Sequence, residues 1–173
     1  AYRRASGARN ATLSIIVGGE RAVFEACEPL FEDIGEDIFH VGDRPGHGHA
    51  VKLLNNYLSN VALIATSEAV ILGDQAGLDR ETLVDVFSVS SGRNSANQDK
   101  IPDHVLTGEY DMGFKLGLME KDMRLLSEFA GDQQIPMLLG HVTRDITGYA
   151  KTKKGYDGDM TRVYDFLEEL MIE

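Results

Sequence analysis

The hydrophobic pattern of the chain changes near residue 45. Before that point, two short runs at residues 11–17 and 37–41 have the composition of strands and are followed by glycine, which predicts two β-strands. Between them, residues 20–34 place apolar side chains at helical spacing, with Pro29 expected to kink or split the helix. The beginning of the chain is therefore predicted to be a small strand–helix–strand unit.

After residue 45 the pattern is helical. Residues 50–73 are apolar around most of the helix circumference, which predicts a long core helix buried on nearly all sides. Polar residues interrupt this stretch too often for a membrane span. Asp79 is the predicted N-cap of the next helix, and residues 90–97 are predicted to be a loop. The predicted inner face of that helix consists of Leu83, Val84, Phe87 and Val89, and further helices are predicted at residues 99–106, 116–129, 137–149 and 160–171.

Composition narrows the class of protein. A length of 173 residues with 43% hydrophobic residues suffices for one domain, or for one domain with a fragment of another. The formal net charge of -11 argues against nucleic acid as a partner, because a polyanion requires clustered Lys and Arg. Cys27 is the single cysteine and no secretory signal is evident, so we expect a cytoplasmic protein.

The stretch GHGHAVKLLNN, residues 46–56, has two interpretations. Its first two glycines fit a dinucleotide-binding fingerprint, but that motif needs a third glycine where Val51 stands. Alternatively, the stretch begins a helix that presents Lys52 and, one turn later, Asn56 on the same face. A buried ammonium is costly, and enzymes use that cost to adjust a lysine for proton transfer. A lysine that simply reaches solvent at the start of a helix is the structural alternative.

The same stretch resembles a known family. The pattern G-x-G-x-x-x-K-x-x-N-N at residues 46–56 is similar to the catalytic helix of the β-hydroxyacid dehydrogenases, the family of 3-hydroxyisobutyrate dehydrogenase and tartronate semialdehyde reductase. Residues 5–19 resemble its serine–glycine turn and the strand ending in two glycines, and residues 114–125 resemble its later helix with a Lys–Asp pair. Each motif alone is weak, but the three occur in order and together cover nearly the whole chain.

The resemblance implies a mainly α fold. Residues 46–173 are expected to form an all-helical domain like the C-terminal domain of 6-phosphogluconate dehydrogenase, built on one long buried helix and used for substrate binding and oligomerisation. Residues 1–45 are expected to be the α/β remnant of an NAD(P)-binding Rossmann domain, most of which is missing. The chain is therefore expected to be a C-terminal portion that is inactive alone and that forms a homo-oligomer, either a dimer or a tetramer.

The resemblance also implies a reaction. The complete enzyme would be an NAD(P)-dependent oxidoreductase that transfers hydride reversibly between a short 3-hydroxy acid and its semialdehyde or keto form, with NAD or NADP as cofactor. Lys52 would donate and accept the proton at the reacting hydroxyl. Asn56 would orient the reacting oxygen or the carboxylate, whereas Ser6 and Gly7 would bind the substrate carboxylate.

The cofactor side of the expected site lies in the later motif. Lys121, Phe114 and Asp122 are the residues that the resemblance assigns to NAD(P). Pairing of Lys121 with Glu120 or Asp122 is the structural alternative. The choice between NAD and NADP would be made in the missing domain.

Several features leave alternatives open. Arg3 and Arg4 precede Ser6 where the family has other residues, which fits a more anionic substrate or simply a surface pair of arginines. His47 and His49 are too few ligands for a metal site, so no metal is assigned. Residues 155–159 lack the ligand set of a calcium loop and are expected to end one helix and cap the next.

Two other functions fit the same fold. One is a non-catalytic dimerisation or interaction module, and the presence of both Lys52 and Asn56 argues against it. The other is an imine-reductase-like enzyme, a class that usually lacks this lysine. A small 3-hydroxy acid, the missing Rossmann domain and further copies of the chain are the expected partners, with no nucleic acid and no membrane.

Overall fold

The computed structural model describes residues 9–172 of the chain. Ser6 and Gly7, two of the predicted substrate-binding residues, lie outside the described residues. The contacts of the chain divide it into two compact units, the first up to Asn55 and the second from Asn56 onward. The predicted domain boundary near residue 45 stays a prediction.

Unit 1 contains the predicted strand–helix–strand arrangement. Strand β1 spans Leu13–Val17, helix α1 spans Arg21–Glu32 and strand β2 spans Gly35–His40. The two strands are parallel, with Ile15 opposite Ile38, and a parallel pair requires a crossover such as α1. Pro29 lies inside α1 without splitting it. Helix α1 packs on β2, with Phe24 as its buried residue.

The long predicted helix is present. Helix α2 spans His47–Gln75, a few residues beyond the predicted limits at both ends. The expectation that it is buried on nearly all sides is wrong for one stripe, because Leu54, Leu58 and Leu72 are exposed, Leu58 by 65%. Leu63 and Val70 on the inner side are fully buried. Helix α2 therefore has apolar side chains on all sides, but one side of it is not covered by other described residues of the chain.

Unit 2 continues with further helices around one core. They are α3 at Arg80–Val89, the π-helix π1 at Ala96–Val105, α4 at Leu116–Asp132, α5 at Leu138–Lys154 and α6 at Arg162–Ile172. Helix α5 packs against both α4 and α6, and α3 packs against π1. The fully buried members of the core include Leu63, Ile101, Leu116, Met119, Met160 and Val163. The predicted mainly α fold class, with a small α/β part before it, is confirmed.

The two ends of helix α3 test predictions made from the sequence. The Asp79 carboxylate accepts a hydrogen bond from the Thr82 N–H at 2.8 Å, which confirms it as the N-cap of α3. Val84 is buried, but Val89 is 83% exposed, so its assignment to the inner face was wrong; it is the last residue of the helix.

The segment predicted as a loop, residues 90–97, is non-helical at residues 90–94, and its end belongs to a π-helix that continues through the helix predicted at residues 99–106. Helix π1 spans Ala96–Val105, and at its beginning the Asn94 side-chain oxygen accepts a hydrogen bond from the Ala96 N–H at 2.7 Å. The Leu106 N–H donates to the Ile101 carbonyl five residues earlier, which is the spacing of a π-helix. Among the helices of residues 9–172, none combines the length and hydrophobicity that crossing a bilayer would require.

Candidate functional site

Lys52 lies at a cavity in unit 1. The cavity has a volume of about 570 Å³ and combines the chain of β1 with the beginning of α2. Its lining consists of residues 14–18, Phe31, Pro45, Gly46, Gly48, His49 and Lys52. Lys52 is half-buried, and the other lining residues include the aliphatic Ile15, Ile16 and Val17. The proton-transfer role of Lys52 stays a prediction.

The two glycines of the GHGH stretch are explained by the conformation and the close packing of the main chain. Gly46 has φ +96, a conformation that favours glycine. A Cβ added to Gly48 would lie 2.5 Å from the Ile16 carbonyl oxygen, and one added to Gly18 would lie 2.8 Å from the Gly48 nitrogen. The first turn of α2 therefore packs directly against the end of β1. This contact explains the glycines without a phosphate-binding loop, in agreement with Val51 at the position of the third glycine.

Asn56 lies in the core of unit 2. It is 4% exposed, and its Nδ2 donates a hydrogen bond to Asp122 Oδ2 at 2.6 Å. Asp122 on α4 is 2% exposed, and its other oxygen, Oδ1, lies 3.3 Å from the Lys121 ammonium. The fold thus brings Asn56, Asp122 and Lys121 together, although Asn56 precedes the other two by more than sixty residues.

The pair between Lys121 and Asp122 is the structural alternative considered for Lys121. The Lys121 side chain is nevertheless 46% exposed, so its ammonium is accessible from solvent. Glu120, the other acid considered for Lys121, instead accepts a hydrogen bond from Lys151 at 2.9 Å. The assignment of Lys121 and Asp122 to a cofactor stays a prediction.

Phe114 lies in a turn held by one carboxylate. Asp159 Oδ2 accepts hydrogen bonds from the Gly113 N–H at 2.5 Å and the Phe114 N–H at 3.2 Å. Asp159 Oδ1 accepts from both the N–H and the hydroxyl of Thr161. Helix α5 ends at Lys154, before Gly155, and α6 begins at Arg162. The segment at residues 155–159 therefore separates two helices, as predicted, and its last aspartate is occupied by N–H and O–H donors.

The sequence did not single out a buried lysine in π1. Lys100 is 2% exposed and donates a hydrogen bond to Ser95 Oγ at 2.5 Å. Burial lowers the pKa of the Lys100 ammonium to about 8. Helical spacing could not reveal this burial, because a π-helix turns by a different period from an α-helix. Within residues 9–172, no three His, Cys, Asp or Glu side chains group in a way that could hold a metal ion.

Comparison with known proteins gives two family models that match most of the chain. The model described as NAD-binding of NADP-dependent 3-hydroxyisobutyrate dehydrogenase matches residues 46–167. The model described as the NAD binding domain of 6-phosphogluconate dehydrogenase matches residues 4–42. Both descriptions agree with NAD or NADP as the cofactor of the family.

Curated relatives agree with these models. The chain is 39% identical over 131 residues to 2-(hydroxymethyl)glutarate dehydrogenase of Eubacterium barkeri, covering 76% of this chain and 43% of that protein. It is 37% identical over 146 residues to 3-hydroxyisobutyrate dehydrogenase of Pseudomonas aeruginosa, covering 81% of this chain and 49% of that protein. The chain spans about half the length of the curated relatives that it matches.

A solved structure shows the same fold. The 3-hydroxyisobutyrate dehydrogenase of Mycobacterium tuberculosis, determined with L-serine, superposes with a TM-score of 0.86 at 28% identity. The match covers 94% of this chain and 57% of that chain. Family models, sequence relatives and fold agree, and the chain belongs to the 3-hydroxyisobutyrate dehydrogenase family of β-hydroxyacid dehydrogenases.

Proposed function

We propose that this chain is the C-terminal portion of an NAD(P)-dependent dehydrogenase that interconverts a short 3-hydroxy acid with its semialdehyde or keto form. The observation that carries the proposal is the half-buried Lys52 at the cavity in unit 1, four residues before the buried Asn56 on α2. Both 3-hydroxyisobutyrate and 2-(hydroxymethyl)glutarate, in the names of the relatives, are 3-hydroxy acids.

In this proposal Lys52 is the general base and general acid of the reaction. In oxidation, its amine takes the proton of the substrate hydroxyl, and in reduction its ammonium returns that proton. Asn56 orients the reacting oxygen or the substrate carboxylate, and Ser6 with the Gly7 N–H binds the carboxylate. NAD(P), when bound, supplies the acceptor or donor of hydride.

Three of the described residues are proposed to contact one part of the cofactor. Lys121 offers an accessible ammonium to an anionic group, and Phe114 offers a half-buried aromatic ring. Asp122 completes the proposed cofactor side. The stretch at residues 46–51 packs against β1 and has Val51 in place of a glycine, so we place the pyrophosphate on residues of the Rossmann domain outside this chain.

The same comparisons support the proposed domain organisation. The two family models meet between residues 42 and 46, which supports a change of domain near residue 45. The exposed Leu54, Leu58 and Leu72 of α2 support pairing of the helical domain with further copies of the chain in a homo-oligomer.

The test compares this chain with the gene product extended by its upstream coding sequence. Both are assayed with NAD and NADP on 3-hydroxyisobutyrate and 2-(hydroxymethyl)glutarate. We expect turnover by the extended protein alone, and we expect Lys52→Ala to reduce its kcat by at least about a hundredfold, because general acid–base catalysis contributes on that scale.

Lys153→Ala is the matched control, because Lys153 is an exposed lysine on α5. It should leave turnover unchanged. Turnover by the short chain alone would contradict the domain proposal, and full activity of Lys52→Ala would contradict the proton-transfer role. An extended protein that binds NAD(P) and further copies of itself but turns over no hydroxy acid would indicate the non-catalytic module.

A further inference from the structure

His49 lines the same cavity of unit 1 as Lys52 and has no role in the proposed reaction. The two residues are three positions apart on α2, a spacing that places their Cβ atoms about 5–6 Å apart on one side of the helix. His49 is exposed, whereas Lys52 is half-buried. A ligand that contacts the Lys52 amine is therefore within about one helical turn of the His49 imidazole.

The lining of this cavity differs in charge from the chain as a whole. The chain has 28 Asp and Glu against 17 Lys and Arg, yet none of the described residues that line the cavity is acidic. The polar side chains of the lining are Ser14, His49 and Lys52. Ser14 donates its hydroxyl hydrogen to Asp37 Oδ2 at 3.4 Å. The nitrogen groups of His49 and Lys52 thus determine the polarity of the lining, and they favour a ligand with negative charge.

We propose that His49 selects 3-hydroxy acids that carry a second carboxylate on the substituent of carbon 2. The inference rests on the proposed function and deepens it by naming the substrate class. 3-Hydroxyisobutyrate has a methyl group at this carbon, whereas 2-(hydroxymethyl)glutarate has two methylene groups that end in a carboxylate. With the hydroxyl at Lys52, the second carboxylate accepts a hydrogen bond from His49. An imidazole N–H can donate this bond in either charge state of the ring.

The size and the apolar part of the lining suit the longer substituent. The cavity volume of about 570 Å³ lies in the range of pockets that hold drug-sized ligands, so the longer substituent is not excluded by size. Ile15, Ile16, Val17 and Phe31 supply apolar lining. An apolar wall together with a nitrogen donor matches a substituent made of methylene groups and a terminal carboxylate.

His47 provides a matched control for His49. It is also an exposed histidine of the first turn of α2, but it does not line the cavity. Its ring lies against Gly42 instead, because residues two positions apart on a helix do not face the same side. His47→Leu therefore removes an imidazole from the same turn without removing one from the cavity.

The contact with the second carboxylate can be tested on this chain by NMR at constant pH, without turnover. The ring signals of His47 and His49 are assigned by their loss in the two leucine variants. The probes are glutarate, which has two carboxylates, and butyrate, which has one. We expect glutarate to shift the His49 signals and to leave those of His47 in place. His49 signals that glutarate leaves unchanged, or that butyrate shifts equally, would overturn the proposal.

Substrate selection is tested in the extended, active protein. The substrates are 2-(hydroxymethyl)glutarate, 3-hydroxyisobutyrate and the amide of the first compound, in which a carboxamide of the same shape replaces the second carboxylate. We expect kcat/KM of the wild type to be about five- to tenfold higher for the diacid than for its amide, since a hydrogen bond to a charged group is the stronger one. His49→Leu should bring this ratio close to one, and His47→Leu should leave it unchanged.

Two further variants keep the interpretation specific to the donor. His49→Gln keeps an N–H donor and should keep part of the preference, whereas His49→Glu should repel the second carboxylate and favour the amide. Equal use of diacid and amide by the wild type, a wild-type preference for 3-hydroxyisobutyrate, or an unchanged ratio in His49→Leu would overturn the inference. A wild type that turns over none of the three would contradict the proposed function instead, and the glutarate titration would still report on His49.

Discussion

Lys100 is a residue whose ionisation depends strongly on its surroundings. Its ammonium is buried in π1 with Ser95 as a hydrogen-bond partner, and burial lowers its pKa to about 8. In the unfolded chain the same group titrates near 10.5. The folded chain therefore binds fewer protons than the unfolded chain between these values, and its stability rises with pH across that window.

We predict that Lys100→Met flattens this rise. Protonation of Lys100 opposes folding by about 3 kcal/mol at pH 7, the equivalent of the pKa difference. Urea unfolding at pH 7 and pH 9.5 should show wild-type stability increasing with pH, and the Met variant should have its largest advantage at pH 7. Lys153→Met, on the surface, should keep the wild-type slope. Parallel pH profiles for wild type and Lys100→Met would contradict the prediction.

At the scale of elements, replacing a glycine by alanine should have opposite effects on the stability of two helices. A Cβ at Gly48 would meet the Ile16 carbonyl at 2.5 Å, closer than packed atoms allow, whereas a Cβ at Gly148 in the middle of α5 would meet nothing within 4 Å. Main-chain atoms of β1 cannot move aside as the end of a flexible side chain can. The same substitution should therefore destabilise one helix and stabilise the other.

We predict that Gly48→Ala lowers the free energy of unfolding by about 1–3 kcal/mol, the cost of overpacking. Gly148→Ala should raise it by about 0.5–1 kcal/mol, because alanine loses less backbone entropy in a helix. Chemical denaturation followed by circular dichroism measures both. A tolerated alanine at position 48 would show that α2 and β1 are not in direct contact.

The elements that the sequence predicted correctly are those whose signals are local. The two strands and the long α2 follow from periodicity and flanking glycines, and the start of α3 follows from Asp79. A helix was predicted at residues 99–106, but the first residues of π1 and its π-helical hydrogen bonds were not, because the period of a π-helix differs from that of an α-helix. Periodicity also placed Val89 inside, although a residue at the end of a helix can point past its neighbours.

The candidate site was only partly predictable for a related reason. Motif resemblance identified Lys52, Asn56 and Asp122 one by one, but no local pattern joins α2 to α4. The hydrogen bond between Asn56 and Asp122 spans 66 positions of the chain and exists only after the helices pack. The resemblance gave Asp122 a cofactor role, which stays a prediction, and the fold places Asp122 beside Asn56 and Lys121.

For the molecule as a whole, the excess of negative charge bears on stability. The formal net charge is -11, and oxygen–nitrogen pairs such as Lys115 with Asp157 and Arg124 with Glu128 are largely exposed. Exposed pairs contribute little to stability, whereas excess charge of one sign destabilises the compact state through repulsion. Added salt should therefore weaken the repulsion between like charges more than the attraction within the exposed ion pairs.

We predict that the thermal midpoint rises when NaCl is increased from about 20 mM to about 300 mM, a range in which the screening length becomes shorter than the spacing of many surface charges. The rise should be smaller in the Glu32→Lys/Glu36→Lys variant, because both acids are exposed and their reversal lowers the net negative charge. A midpoint that falls with salt would mean that the ion pairs outweigh the repulsion.

The direct contact of Gly18 with Gly48 has a practical meaning for redesign. A Cβ added at Gly18 would lie 2.8 Å from main-chain atoms of Arg44 and Gly48, and Lys52 follows Gly48 by one turn of α2. Exchanging Phe31 or His49 in the wall of the cavity should thus leave the lysine anchored. The shape of the cavity can therefore be changed at these two positions without moving the turn of α2 that carries Lys52.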